Sequence, residues 1–258
     1  MLVIGLTGGI GMGKSSAAAH FKRYGVPVFD ADAYVHKLYE GEAVPLIEDA
    51  FPGTTRDGRI DRALLAKEVA GRPDRLKELE EIVHPLVVQA EIDFLCDQED
   101  SGVSMAVLEI PLLFETGAES RVDVTVAVSA PAAVQRARVL DRPGMTAEKF
   151  EALRARQLGD ADRRARADHV IDSGSSLENL QAQLDVLLES LKLQDGSVME
   201  RLRAQRRLRS GAQSSWCARS FSIRKRRVST LKRGIGLSKS AAWSWSIPSR
   251  RVGPGTVI

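Results

Sequence analysis

Residues 8–15 read Gly8-Gly9-Ile10-Gly11-Met12-Gly13-Lys14-Ser15, and no other feature of the chain narrows its fold as far. The run matches the spacing G-x-x-x-x-G-K-[ST] in full. It lies between a short apolar run, Leu2–Leu6, that reads as a buried strand and a helical pattern from Gly13 to about Tyr24 with Ala17, Ala18 and Phe21 turned inward. Each part has a physical task. Glycines let the main chain wrap closely and turn successive N–H groups to one side. A helix starting near Gly13 adds the positive end of its dipole. Lys14 supplies a compact charge for β- and γ-phosphates, and Ser15 a hydroxyl for Mg²⁺. The reading is a phosphate loop for ATP, with Gly11, Met12, Gly13, Lys14, Ser15 and Ser16 as its binding residues and Ser15 as the metal ligand.

Beyond the loop, strands alternate with helices. Val26-Pro27-Val28-Phe29 reads as a second strand, Val103–Ile110 as a third, Val122–Val128 as a fourth and His169-Val170-Ile171 as a fifth. Residues 33–97 are helical in pattern, with Leu64, Leu65, Val69, Leu76, Leu79 and Val83 at helical spacing and Pro85 expected to end one helix and open the next. Ser175-Ser176-Leu177-Glu178 reads as a capping box with Ser175 as the cap, opening a helix with Leu177, Leu180, Leu184, Leu188 and Leu191 on one stripe. The expected fold is α/β: a P-loop NTPase-type parallel sheet with helices on both faces, whose ligands bind at the carboxyl ends of the strands. Those ends carry the glycine loop, Asp30-Ala31-Asp32 and Glu109-Ile110-Pro111.

Charge divides the chain. Residues 1–196 hold 22 Lys+Arg against 33 Asp+Glu, a net −11, whereas residues 197–258 hold 15 against one, a net +14. The acidic body argues against nucleic-acid binding by residues 1–200. Residues 201–258 read as a basic, serine- and arginine-rich disordered tail, which could be inert, the product of an extended reading frame or, through Arg224-Lys225-Arg226-Arg227 near Trp216, an anchor for anionic partners, in that order. Cys96 and Cys217 stand in unrelated contexts, which excludes a disulfide framework or zinc cluster. No apolar run reaches the roughly 20 residues of a membrane span. The N-terminus shows no signal-peptide pattern, so a cytoplasmic protein is expected.

The loop alone leaves several activities open. A small GTPase needs an Asn-Lys-x-Asp loop, and the sole asparagine is Asn179, in the last predicted helix. A small-molecule kinase needs a carboxylate near the acceptor hydroxyl, an acceptor-binding insertion and mobile arginines over the phosphates. Asp32, the helical stretch 33–97 and the arginines after the fourth strand (Arg136, Arg138, Arg142, Arg154, Arg156, Arg163, Arg164 and Arg166) are the candidates. Asp32 could equally be a helix N-cap. Asp30 could hold a metal-bound water or cap, and His84 could bridge two helices or border the acceptor pocket. Glu109 could orient water on Mg²⁺ or only end a strand, and Glu115 could cap or contact the acceptor. The competing readings are another small-molecule P-loop kinase and a non-catalytic ATP-dependent switch.

The segments taken together resemble the dephospho-CoA kinase family. They are Leu6–Ser15, Phe29-Asp30-Ala31-Asp32, Asp57-Gly58-Arg59-Ile60-Asp61-Arg62, Ile82-Val83-His84-Pro85, Pro111-Leu112-Leu113-Phe114-Glu115, Gln135-Arg136, Arg142, Gln157 and Ala167-Asp168-His169-Val170-Ile171. Met12 and Ser16 stand where the family usually has Ser and Thr. The resemblance implies ATP- and Mg²⁺-dependent phosphorylation of the ribose 3′-hydroxyl of dephospho-CoA, with Lys14, Asp32 and Arg142 as catalytic residues. It also implies a kinase domain over residues 1–200. That domain divides into a core (1–32, 101–140 and 167–193), a helical CoA-binding part (33–100) and a lid (141–166).

Overall fold

A computed structural model of the chain describes residues 1–194 and 196–206. The basic run and tryptophans of the predicted tail lie outside the described residues.

Five strands form one parallel sheet: β1 (Leu2–Thr7), β2 (Val28–Asp30), β5 (Met105–Glu109), β6 (Val124–Ser129) and β7 (His169–Asp172), in the order β2-β5-β1-β6-β7. All six residues of β1 are buried, as a central strand covered on both faces requires. Leu2, Ile4 and Leu6 face α1 (Lys14–Arg23) and α9 (Leu177–Leu191), packing with Ala17, Phe21, Leu180 and Leu184. Val3 faces the other way, into a core shared with Ala106, Leu108 and the helices of the insertion. The chain leaves β1 toward β2 on one side and later leaves β5 toward β6 on the other. The order therefore reverses beside β1, where crevices open in such sheets.

The insertion consists of α2 (Ala31–Leu38), α3 (Val44–Ala50), a hairpin of β3 (Thr55–Arg56) and β4 (Arg59–Ile60), α4 (Arg62–Val69) and α5 (Pro73–Asp100). Two expectations are corrected here. The stretch 33–97 is interrupted by the hairpin, because Asp57 and Gly58 both take positive φ (49° and 74°), the turn that joins two-residue hairpins. Pro85 does not end a helix: α5 runs 28 residues straight through it, and His84 lies inside one helix rather than between two. Proline removes one helical hydrogen bond and crowds the carbonyl four residues back. Leu79 and Val83 before it, and Val87, Ile92 and Leu95 after it, are all buried on the same core, and that packing outweighs the local penalty.

After β6 come α6 (Ala132–Leu140), α7 (Ala147–Arg154) and α8 (Asp160–Arg166). The helix cap before Leu177 is Ser176, not Ser175: the Ser176 hydroxyl accepts from Asn179 N–H at 3.2 Å. This puts Asn179 rather than Glu178 at the third helical position, so the reciprocal half of a capping box is missing. Residues 198–206 are helical, with Val198, Met199 and Leu202 buried on the core. The packed body therefore passes the boundary expected at residue 200.

Candidate active site

The carboxyl edge of the sheet gathers the predicted residues. Gly11 (φ 76°) and Gly13 (φ 86°) both need the left-handed region, and a Cβ at Gly8 would come 2.8 Å from the Val128 carbonyl oxygen. These constraints shape the loop so that α1 begins at Lys14 with no side-chain cap, its first N–H groups free for a ligand. Lys14 Nζ lies 3.1 Å from Glu109 Oε1, a pair largely shielded from solvent at the end of β5. Glu109 is in register with Asp30 on β2 and with Leu6 on β1, so two carboxylates end adjacent strands beside the loop.

Asp30 caps α2, its Oδ1 accepting from Ala33 N–H at 2.9 Å. Asp32 is thereby relieved of the capping role and stands exposed in the first turn of the same helix. A cavity of about 720 Å³ is walled by the phosphate loop, Asp32, Pro111 and Arg142, with Arg138, Ser173, Ser176, Leu177 and Leu180 on another side. Gly11, Gly13, Lys14, Ser15, Ser16, Asp32 and Arg142 thus meet at one place. Met12 turns away from it. Its side chain is buried, its Sδ accepts from Ala130 N–H at 3.1 Å and its carbonyl accepts from Ser173 Oγ at 2.7 Å. His84 and Glu115 are not on the cavity wall. Partial desolvation, then the Arg121 charge, hold the His84 imidazole below its ordinary pKa, so it is neutral at pH 7. Glu115 instead accepts from Leu158 N–H at 2.7 Å and approaches Arg163 at 3.6 Å.

Residues 173–180 escape a reading of the sequence, which sees in them only a helix start. Ser173 follows the carboxyl end of β7, and the rule that places ligands at strand ends would have flagged it. Arg138 is, in the sequence, one of the eight arginines expected over the phosphates. In the fold it donates to Ser173 Oγ (3.0 Å) and Ser173 O (2.6 Å), which fixes it against this wall.

Among the described residues no group of three or more His, Cys, Asp or Glu side chains stands ready for a metal ion. The cavity wall offers the Ser15 hydroxyl and the Asp32 carboxylate as oxygen donors. That set suits Mg²⁺, which takes one or two protein oxygens and otherwise arrives with phosphate and water.

The sequence model of the family described as dephospho-CoA kinase matches residues 2–179. The chain belongs to the dephospho-CoA kinase family. A dephospho-CoA kinase of Rhodopseudomonas palustris (strain HaA2) is 54% identical over 190 residues, covering 74% of this chain and 96% of the relative. One of Mesorhizobium japonicum is 54% identical over 198 residues, covering 76% and 100%. Among solved structures, a Thermus thermophilus protein shares 37% identity with a TM-score of 0.66, covering 74% of this chain and 97% of that one. The dephospho-CoA kinase of Campylobacter jejuni shares the fold at 22% identity, with a TM-score of 0.57 over 74% of this chain and 96% of its own. Membership agrees with the P-loop NTPase-type fold expected from the sequence.

Proposed function

We propose that the protein transfers the γ-phosphoryl group of ATP to the 3′-hydroxyl of the ribose of dephospho-CoA, giving coenzyme A and ADP. The observation that carries this is the meeting of a complete phosphate loop and an uncommitted carboxylate, Asp32, on one cavity wall in a chain of the dephospho-CoA kinase family.

The roles derive from the chemistry of each group. The N–H groups of Gly13 to Ser15 and the Lys14 ammonium hold the β- and γ-phosphates. Glu109 at the end of β5 pairs with Lys14 at 3.1 Å and restrains its ammonium. Ser15, which lines the same cavity as Asp32, is the residue that would hold Mg²⁺; bound with ATP, the ion would neutralise charge on the phosphates. Asp32 accepts the proton of the acceptor hydroxyl, or orients that hydroxyl when the proton leaves late. Arg142 supplies a planar guanidinium for phosphate oxygens. It is followed by Pro143-Gly144, with Gly144 at φ 73°, a bend on which residues 141–166 can close as a lid. Residues 33–100, which pack on the β5 side of the sheet, form the acceptor-binding part. None of the described helices is long and apolar enough to cross a membrane.

Coupled ADP release, measured with and without dephospho-CoA and against a panel of nucleosides and sugar acids, tests the assignment. Strong stimulation by dephospho-CoA alone is expected. Equal slow hydrolysis with every acceptor would identify a switch rather than a kinase, and stimulation by another acceptor would reassign the substrate.

A further inference from the structure

The crest of the phosphate loop is held from outside the loop, by side chains of two other elements. Gly9 O accepts from Met12 N–H at 3.1 Å, which closes the turn and leaves both polar groups of Ile10 pointing out of it. Two glutamines take them. Ile10 N–H donates to Gln157 Oε1 at 3.0 Å, and Ile10 O accepts from Gln135 Nε2 at 2.9 Å. The main chain fixes which way each amide faces, since an N–H needs an oxygen and a carbonyl needs an N–H. Gln135 is buried on α6, and Gln157 lies in the connection between α7 and α8.

Gln157 is itself fixed through its neighbour. Leu158 N–H donates to Glu115 Oε1 at 2.7 Å, and Leu158 O accepts from Arg163 Nη2 at 2.8 Å. Arg163 is 2% exposed and its Nε has no partner among the described residues. All three side chains converge on Gly9. A Cβ there would meet Gln135 Nε2 at 3.3 Å, and Arg163 Nη1 and Gln157 Oε1 at 3.4 Å. Gly9 therefore needs to be small for space, not for its backbone angles, and the space it leaves is filled by the side chains that hold Ile10.

We propose that Gln157 is a positioning residue: with Gln135 it clamps Ile10, and so makes the shape of the phosphate-binding N–H array depend on where the α7–α8 connection sits. The proposal rests on the reading that residues 8–15 hold the polyphosphate of ATP. Without the clamp, ATP has to order the crest on binding, which weakens nucleotide use and leaves the acceptor site alone.

The test uses the full chain. Gln157→Met keeps the length of the side chain and removes the acceptor. In this variant kcat/KM for ATP is expected to fall about tenfold, the worth of one hydrogen bond, with KM for dephospho-CoA changed by less than about twofold. The melting temperature should fall by no more than about 2–4 °C, the share of one hydrogen bond in a body of this size. Amide exchange at Ile10 in the nucleotide-free protein should accelerate. Gln135→Met should act the same way, and the double variant should cost less than the product of the two, because both act through one residue. If Gln135→Met fails to fold, exchange at Ile10 in Gln157→Met decides. Wild-type kcat/KM for ATP in Gln157→Met, or an equal rise in both KM values, overturns the proposal. A wild-type protein that leaves dephospho-CoA unphosphorylated would instead overturn the functional reading. In that case the clamp is still read by affinity for a fluorescent ATP analogue, where the same tenfold loss supports it and no loss overturns it.

Discussion

Asp30 and Asp32 stand two positions apart, and the fold gives them different work. Asp30 is spent on a helix cap at 2.9 Å. Asp32 stands exposed on the cavity wall, its carboxylate without a hydrogen-bond or ion-pair partner among the described residues. Asp32→Asn is therefore expected to lower turnover by about a hundredfold while KM for ATP stays near wild type. Steady-state kinetics check this, and an unchanged turnover number would remove Asp32 from the proton's path. The motif residues are legible in the sequence because a phosphate loop is a local pattern: spacing alone fixes Gly11, Gly13, Lys14 and Ser15 in relation to one strand and one helix. The pairing of Arg138, one of the candidate arginines, with Ser173 is not. Their meeting depends on β7 and α6 ending at the same edge, a relation between segments 35 residues apart. The expected Ser175 cap misses by one residue, because Ser175 and Ser176 are chemically equal. Only the extended backbone of Ser176 (φ −108°, ψ 165°) decides which of them caps.

Among the elements, the parallel sheet and its flanking helices are readable from apolar runs alternating with helical periods. The insertion is readable only in outline. Asp57-Gly58 is a strong hairpin signal, yet the two strands it joins are two residues each, too short to show a period. Pro85 misleads in the other direction, since proline ends helices locally but buried faces on both sides carry α5 through it. Pro85→Ala restores a donor for the Glu81 carbonyl and removes the ring. Denaturant unfolding should then show a gain of about 1–3 kcal/mol. A loss would mean that the neighbours of α5 are built around the proline.

Across the described body, charge is arranged against the net balance. Residues 1–196 carry a net −11, yet the charged residues on the main cavity wall are Lys14, Arg138 and Arg142 against Asp32 alone. An acidic body with a basic pocket concentrates a polyanion at the pocket. The body is closed by residues 198–206. Leu202 is 3% exposed, while Arg203 and Arg206 reach Glu99, Asp100, Asp93 and Asp97 on α5. The half-exposed ion pairs add little and are screened by salt, so the apolar contact holds the segment. Leu202→Ala is expected to lower unfolding free energy by about 2–3 kcal/mol, with little dependence on salt. An unchanged midpoint would show that 198–206 is not part of the cooperative unit.

Phosphoryl transfer itself is read by ³¹P NMR of the products formed from ATP and dephospho-CoA. A new phosphomonoester on the ribose 3′-oxygen is expected, appearing one for one with ADP in the wild type and absent in Lys14→Ala, which should still fold. ADP formed without that phosphomonoester, or an undiminished yield from Lys14→Ala, would contradict the assignment of a kinase built on residues 8–15.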